Sequence, residues 1–97
     1  MARFDVYVVG GAHYLDVQSN LLPLMNTRLV VPLLAADTAP APLRRLHPSL
    51  TINGHVLVMA THLMVAVPLK SLGKPVASAL NDYDEIVAAI DMVFNGF

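Results

Sequence analysis

The sixteen residues from Asp82 to Phe97 hold the one clear helical pattern in this 97-residue chain. Ile86, Val87, Ile90, Val93, Phe94 and Phe97 recur at spacings of three and four, which places them on one apolar stripe. Asp82 with Glu85 three residues on reads as an N-cap and its partner, and Asp84 adds negative charge where the helix dipole favours it. Gly96 can end the helix in a left-handed conformation. Asn95, Gly96 and Phe97 are then a short tip. Phe97 either closes the apolar stripe or serves as a contact point for another protein, and the segment alone leaves both open.

Everything before Asp82 reads as strands and turns. Residues Phe4 to Val9 are rich in β-formers, Gly10-Gly11 turns the chain, and His13 to Val17 returns. Gln18 to Asn26 is a connector containing Pro23. Thr27 to Val31 begins a third strand, and Pro32 within it predicts an edge position or a bulge. Asp37 to Pro48, rich in proline and alanine, reads as a long loop with one helical turn around Leu43 to Leu46. Asn53-Gly54 between Leu50-Thr51-Ile52 and His55 to Ala60 marks a tight hairpin. Thr61 to Leu69 supplies another strand, interrupted at Pro68. Leu72 to Pro75 is a turn, and Val76 to Leu80 leads into the helix. Short strands followed by one helix predict an α+β, mostly β fold: a small, strongly curved antiparallel sheet carrying a C-terminal helix, as a single domain over residues 1–97.

Composition bears on how such a domain hides its surface. The chain is 56% hydrophobic and 13% charged, with a mean hydropathy of +0.59. A domain of this size has too high a surface-to-volume ratio to bury that much apolar surface internally. The longest uncharged apolar run, Leu29 to Ala36, has eight residues with a proline inside it. A spanning helix needs roughly 18 to 20. Self-association is therefore expected, with no membrane partner. Cysteine is absent, which excludes disulfides and thiol chemistry, and no apolar secretory stretch follows Arg3. Both fit a cytoplasmic protein. Six basic and three acidic residues precede Asp82, and four acidic residues follow from there. That is no field strong enough to bind nucleic acid.

Residues that carry chemistry are sparse. His13, His47, His55 and His62 include no helical i, i+4 pair, and His55 and His62 face opposite sides of a straight strand, so no metal site is expected. The serines lack a nucleophile-elbow setting. The carboxylates at Asp82, Asp84, Glu85 and Asp91 are accounted for by capping and a solvated face. No glycine-rich phosphate loop opens a helix. Thr27 and Arg28 are the one polar pair that an RNA-cleaving site would draw on. The plainer reading makes Arg28 an ordinary edge-strand arginine, whose removal leaves a binding activity largely intact. No catalytic residue and no cofactor are expected.

Several stretches together resemble one family. Phe4-Asp5-Val6-Tyr7 opens the chain, followed by Asp16-Val17-Gln18-Ser19, Arg28-Leu29-Val30-Val31-Pro32-Leu33, and Val67-Pro68-Leu69 with Leu72-Gly73. Ala89 to Phe97 completes the order. This series is similar to the CcdB family of toxins from type II toxin–antitoxin modules, over nearly the whole chain.

The resemblance implies an SH3-like barrel, a homodimer, and a toxin that poisons rather than catalyses. It would enter the opening between the two A subunits of DNA gyrase and trap the enzyme on cut DNA. The contacts implied are Leu21, Leu22, Phe94, Asn95, Gly96 and Phe97. A cognate antitoxin would neutralise it through a disordered C-terminal segment, and operator DNA would be reached only through that antitoxin. The best-known members have tryptophan where this chain has Asn95. Loss of such an anchor predicts ~2 kcal/mol or more of weakened binding, which the larger Phe97 offsets in part. Two other readings stand beside this one: an endoribonuclease toxin on the same barrel, and a degenerate, non-toxic homologue that still binds antitoxin.

Overall fold

The protein is described as a computed structural model over residues 2–18, 26–35 and 45–96. Strands β1 (Asp5–Val9) and β2 (Ala12–Asp16) are joined by Gly10-Gly11, whose φ values of 58° and 82° lie in the left-handed region that glycine adopts without strain. That two-residue turn matches the twist of the paired strands, and Val9 faces Ala12 across it. The second turn expected from the sequence is also present. Asn53 (φ 50°) and Gly54 (φ 84°) link β4 (Ser49–Ile52) to β5 (His55–Met59).

The third strand occupies a different place from the one expected. β3 (Thr27–Ala35) is the centre of the sheet, not an edge. One side pairs with β2. The other is shared between β6 (Val65–Pro68), over Thr27 to Val30, and β5, over Leu33 to Ala35. Pro32 is tolerated in a central strand because it lies at this change of partner. No ladder donor is required of it there, and its carbonyl still accepts a 2.9 Å hydrogen bond from the Ala60 amide.

β7 (Ala77–Ser78) pairs with β1, giving the order β4-β5-β3-β2-β1-β7 among the described residues, with β6 branching from β3. The Asn53 side-chain amide donates to the Val76 carbonyl at 3.3 Å, so the β4–β5 tip reaches the chain just before β7. The sheet thus nearly closes into a barrel. The segment read as one strand from Thr61 to Leu69 is divided: a 3-10 turn at Thr61–Leu63, then β6, then a second 3-10 turn starting at Leu69. Of the helical turn expected around Leu43 to Leu46, Arg45 and Leu46 form a turn, and the rest lies outside the described residues.

Helix α1 (Tyr83–Asn95) follows a 3-10 turn at Leu80–Asp82. Its start differs from the expected N-cap: the Asp82 side chain makes no capping hydrogen bond. The preceding 3-10 turn satisfies two leading amides instead, with Asp82 N–H on the Ala79 carbonyl and Tyr83 N–H on that of Leu80. Asp84 and Glu85 still place negative charge at the positive end of the dipole.

Ile86 and Ala89 are fully buried against Phe4, Val6, Leu15, Val31 and Met59, with Val87 and Ile90 partly buried beside them. Phe4, held at a positive φ of 70°, meets the Tyr83 ring edge-on at 5.5 Å. The opposite face of the sheet carries a smaller cluster of Tyr7, Val30 and Leu72, flanked by Val9, Tyr14 and Val67. No helix among the described residues is long and apolar enough to cross a membrane.

Candidate functional site

Packing of α1 stops short of its C-terminal end. Ile90 is the last residue of the stripe that joins the core; Val93 is 37% exposed and Phe94 66% exposed. The single stripe expected from Ile86 to Phe94 is therefore split into a buried base and a free tip. Phe94 lies about 6 Å along the axis beyond Ile90 at 1.5 Å per residue. Asn95 and Gly96 are also exposed. Gly96 takes the expected left-handed conformation (φ 79°), and its amide donates to the Met92 carbonyl at 2.9 Å. The tip is thus a capped helix end with an outward aromatic ring. Leu21, Leu22 and Phe97, the other residues expected at this site, lie outside the described residues.

The second candidate, Thr27 with Arg28, resolves differently. Thr27 is exposed, but Arg28 is 4% exposed and enters an ion pair with the fully buried Asp16. The two are brought together by register: Asp16 pairs with Val30, so Arg28, two residues away on β3, lies diagonally across on the same face. Arg28 Nε donates to Asp16 Oδ2 at 2.8 Å and Nη2 donates to Oδ1 at 3.0 Å, a two-pronged geometry that lysine cannot reproduce.

Gln18 completes the network. Its amide donates to Asp16 Oδ1 at 3.0 Å, and its side-chain oxygen accepts from the Leu29 amide at 3.0 Å. Its carbonyl lies 3.4 Å from Arg28 Nη2. The cluster ties the end of β2 to the start of β3 and leaves the guanidinium committed. Arg28 is an internal cross-brace, not the edge-strand arginine expected, and not a cation free to meet a phosphate.

Tyr7, on the same face of the sheet, is fully buried, and its hydroxyl makes no hydrogen bond among the described residues. Burial foremost, then the Asp5 and Asp16 carboxylates, push its pKa above the ordinary 10, with Arg28 opposing. A raised folded-state pKa gives stability that is complete below pH 10 and lost as pH rises through the folded value. Tyr7→Phe is expected to flatten the alkaline fall in thermal midpoint above about pH 10. At neutral pH it leaves the midpoint unchanged or raises it, because the hydroxyl removed has no bond to lose. Thermal melts from pH 7 to 11 check this.

Two histidines that the sequence reading treated separately are joined. His47 Nε2 lies 2.8 Å from His62 Nδ1, with the rings edge-to-face at 4.8 Å. Nothing in the sequence spacing points to this pair, which tertiary folding brings together from positions fifteen apart. With the two nitrogens in contact, no scissile phosphate fits between them, as paired acid–base histidines would need. Among the described residues no group of three or more metal-ligating side chains occurs.

Solved structures share this architecture. An endoribonuclease from a mycobacterial species, in complex with its cognate antitoxin, superimposes with a TM-score of 0.81 at 13% identity, covering 97% of this chain and 94% of its own. An Mtb toxin gives a TM-score of 0.69 at 14% identity, over 95% of this chain and 99% of that one. At such identities the likeness concerns the fold. The profile of the CcdB protein family matches residues 3–96, almost the full length, and the chain belongs to the CcdB family.

Proposed function

We propose that this protein is the toxin of a toxin–antitoxin module that binds the A subunit of DNA gyrase through the tip of helix α1 and traps the enzyme on cleaved DNA. The observation that carries the reading is the division of α1. Its base is locked into the core by Ile86 and Ala89, while Phe94 stands 66% exposed at its end, next to Asn95 and Gly96. Exposing an aromatic ring on a rigid, capped helix end has no stabilising value for the isolated chain. It supplies contact area at low conformational cost to a partner. In this reading Leu21, Leu22 and Phe97 add to the same contact, and the protein acts by binding, without catalysis or cofactor, in the cytoplasm. A cognate antitoxin neutralises it with a C-terminal segment that orders on binding, and operator DNA is engaged through that antitoxin alone.

The endoribonuclease reading draws on the likeness to the mycobacterial enzyme. Weighing against it, the cation it would use, Arg28, is buried and bound at two nitrogens to Asp16. A purified sample separates the readings: with gyrase, plasmid and ATP, linear DNA should accumulate after detergent and protease treatment, while RNA stays intact. RNA fragmentation without linear DNA would reverse the assignment. Neither product would leave the non-toxic homologue.

The working unit in this proposal is a homodimer. Val8, Val56, Leu63, Val65, Val76 and Leu80 are each 40% exposed or more, apolar surface that a partner subunit would cover. Sedimentation at micromolar concentration is expected to give about twice the 10.4 kDa chain mass. A clean monomer there would remove this part of the proposal.

A further inference from the structure

We propose that His47 and His62 form a proton-operated latch, holding the segment 45–48 against the 3-10 turn at Thr61–Leu63 near neutral pH and releasing it on acidification. The contact is 2.8 Å between His47 Nε2 and His62 Nδ1. At that distance it is a hydrogen bond only while one of the two facing nitrogens holds a proton and the other holds a lone pair. A first added proton goes to an outward nitrogen of the donor ring and leaves the bond in place, now charge-assisted. A second must go to the facing lone pair. Two N–H groups and two positive rings then oppose each other, and the contact opens.

The latch sits where its opening has consequences. Two other ties hold the same segment: Thr61 Oγ1 donates to the Leu46 carbonyl, and the Met59 amide donates to the Pro48 carbonyl at 2.9 Å. Neither titrates near neutral pH, whereas histidine is the side chain that ordinarily changes charge between pH 5 and 8. The 3-10 turn in its turn packs against both α1 and β3. Acid release therefore loosens the seat under the helix whose far end carries the exposed tip.

Among the described residues the charged neighbours are few. Arg45 on the segment and Glu85 on α1 line a space of about 280 Å³ with Pro48 and Ala88. Asp82 and Asp84 lie near the start of α1, the 3-10 turn adds no ionisable group besides His62, and β3 has none from Leu29 to Ala35. His47 is 8% exposed, and burial first, then His62, lowers its pKa below the ordinary 6.5. A lowered folded-state value gives stability present above about pH 6.5 and lost as pH falls, in the direction the latch requires.

The test compares the wild type with His62→Asn from pH 7.5 to 5.5. His62 is exposed, and an asparagine amide, which places its polar atoms where Nδ1 lies, can keep the bond to His47 without taking up a proton. After correction for intrinsic exchange, protection of the Met59 amide should fall severalfold in the wild type across this range. It should stay level in the variant. Equal loss of protection in both proteins would overturn the latch. Side-chain nitrogen NMR of the wild type decides independently, including where the variant does not fold. A scalar coupling across the hydrogen bond between His47 Nε2 and His62 Nδ1 should be present at pH 7.5 and gone at pH 5.5. Its absence at pH 7.5, or its persistence at pH 5.5, would overturn the proposal.

Discussion

Arg28→Ala is expected to destabilise the fold by about 3–5 kcal/mol, because it strands the Asp16 carboxylate in a dry site without its counter-ion. A domain's whole margin is about 5–15 kcal/mol, so much of the protein would unfold at 37 °C. The carboxylate loses both guanidinium bonds at once and, among the described residues, keeps only the Gln18 amide. Arg28→Lys recovers the charge without the fork and should recover only part of the loss. Replacing both partners, as in Asp16→Leu with Arg28→Met, leaves no buried charge behind and should restore most of the stability lost by Arg28→Ala. Urea denaturation of the four proteins measures this directly. If Arg28→Ala unfolds within about 0.5 kcal/mol of the wild type, the range of an ordinary surface substitution, then Arg28 is not the brace described. The consequence for function is practical. Loss of killing by Arg28→Ala says nothing of RNA cleavage, since an unfolded toxin kills by no mechanism. The expectation that its removal leaves a binding activity intact does not survive the burial of the side chain.

Local signals in the chain suffice where one conformational requirement dominates. Gly10-Gly11 and Asn53-Gly54 demand positive φ at both turn positions, and few structures other than a two-residue hairpin use that. Ile86, Val87 and Ile90 of the expected stripe pack on the core, joined by Ala89, which the stripe did not include, and Gly96 ends α1 as a left-handed cap should. Such signals do not suffice where an outcome depends on distant residues. Pro32 and Arg28 both look like edge-strand features along the chain. Pro32 is central because β3 changes partner from β6 to β5 beside it, and Arg28 because its face turns inward onto Asp16; the run from Thr27 to Ala35 encodes neither. The Asp16–Arg28 pair was recoverable in part, since antiparallel pairing of the two strands places both on one face, but only once the register was known. Asp82 lost its capping role to a 3-10 turn that satisfies the same amides first. The stripe on α1 was legible in its period and not in its extent. Periodicity states which residues share a face, and the size of the sheet beneath decides where that face runs out.

The largest functional effect is expected at the point where it runs out. Phe94→Ala removes a ring that is 66% exposed and outside the core, so the thermal midpoint and dimer mass should remain close to those of the wild type. If the tip wedges into gyrase, the same change removes an aromatic anchor worth about 2 kcal/mol, so roughly thirty times more protein is required for equal linear DNA. Deleting residues 95–97 takes away the exposed Asn95, the Gly96 cap and Phe97 while Ile86, Ala89 and Ile90 keep the helix seated, and it should abolish trapping in a protein that still folds and still binds antitoxin. Asn95→Trp works in the opposite direction. An indole at the exposed end of α1 adds rigid area with one hydrogen-bond donor, and trapping should strengthen by a similar factor. Lys74→Ala, an exposed turn residue, serves as the control and should change neither readout. The measurement is growth arrest in cells with sensitive gyrase, with linear plasmid and RNA integrity scored from the same culture. Killing that persists after deletion of residues 95–97, or RNA degraded while plasmid stays closed, would move the activity away from the helix tip and from gyrase.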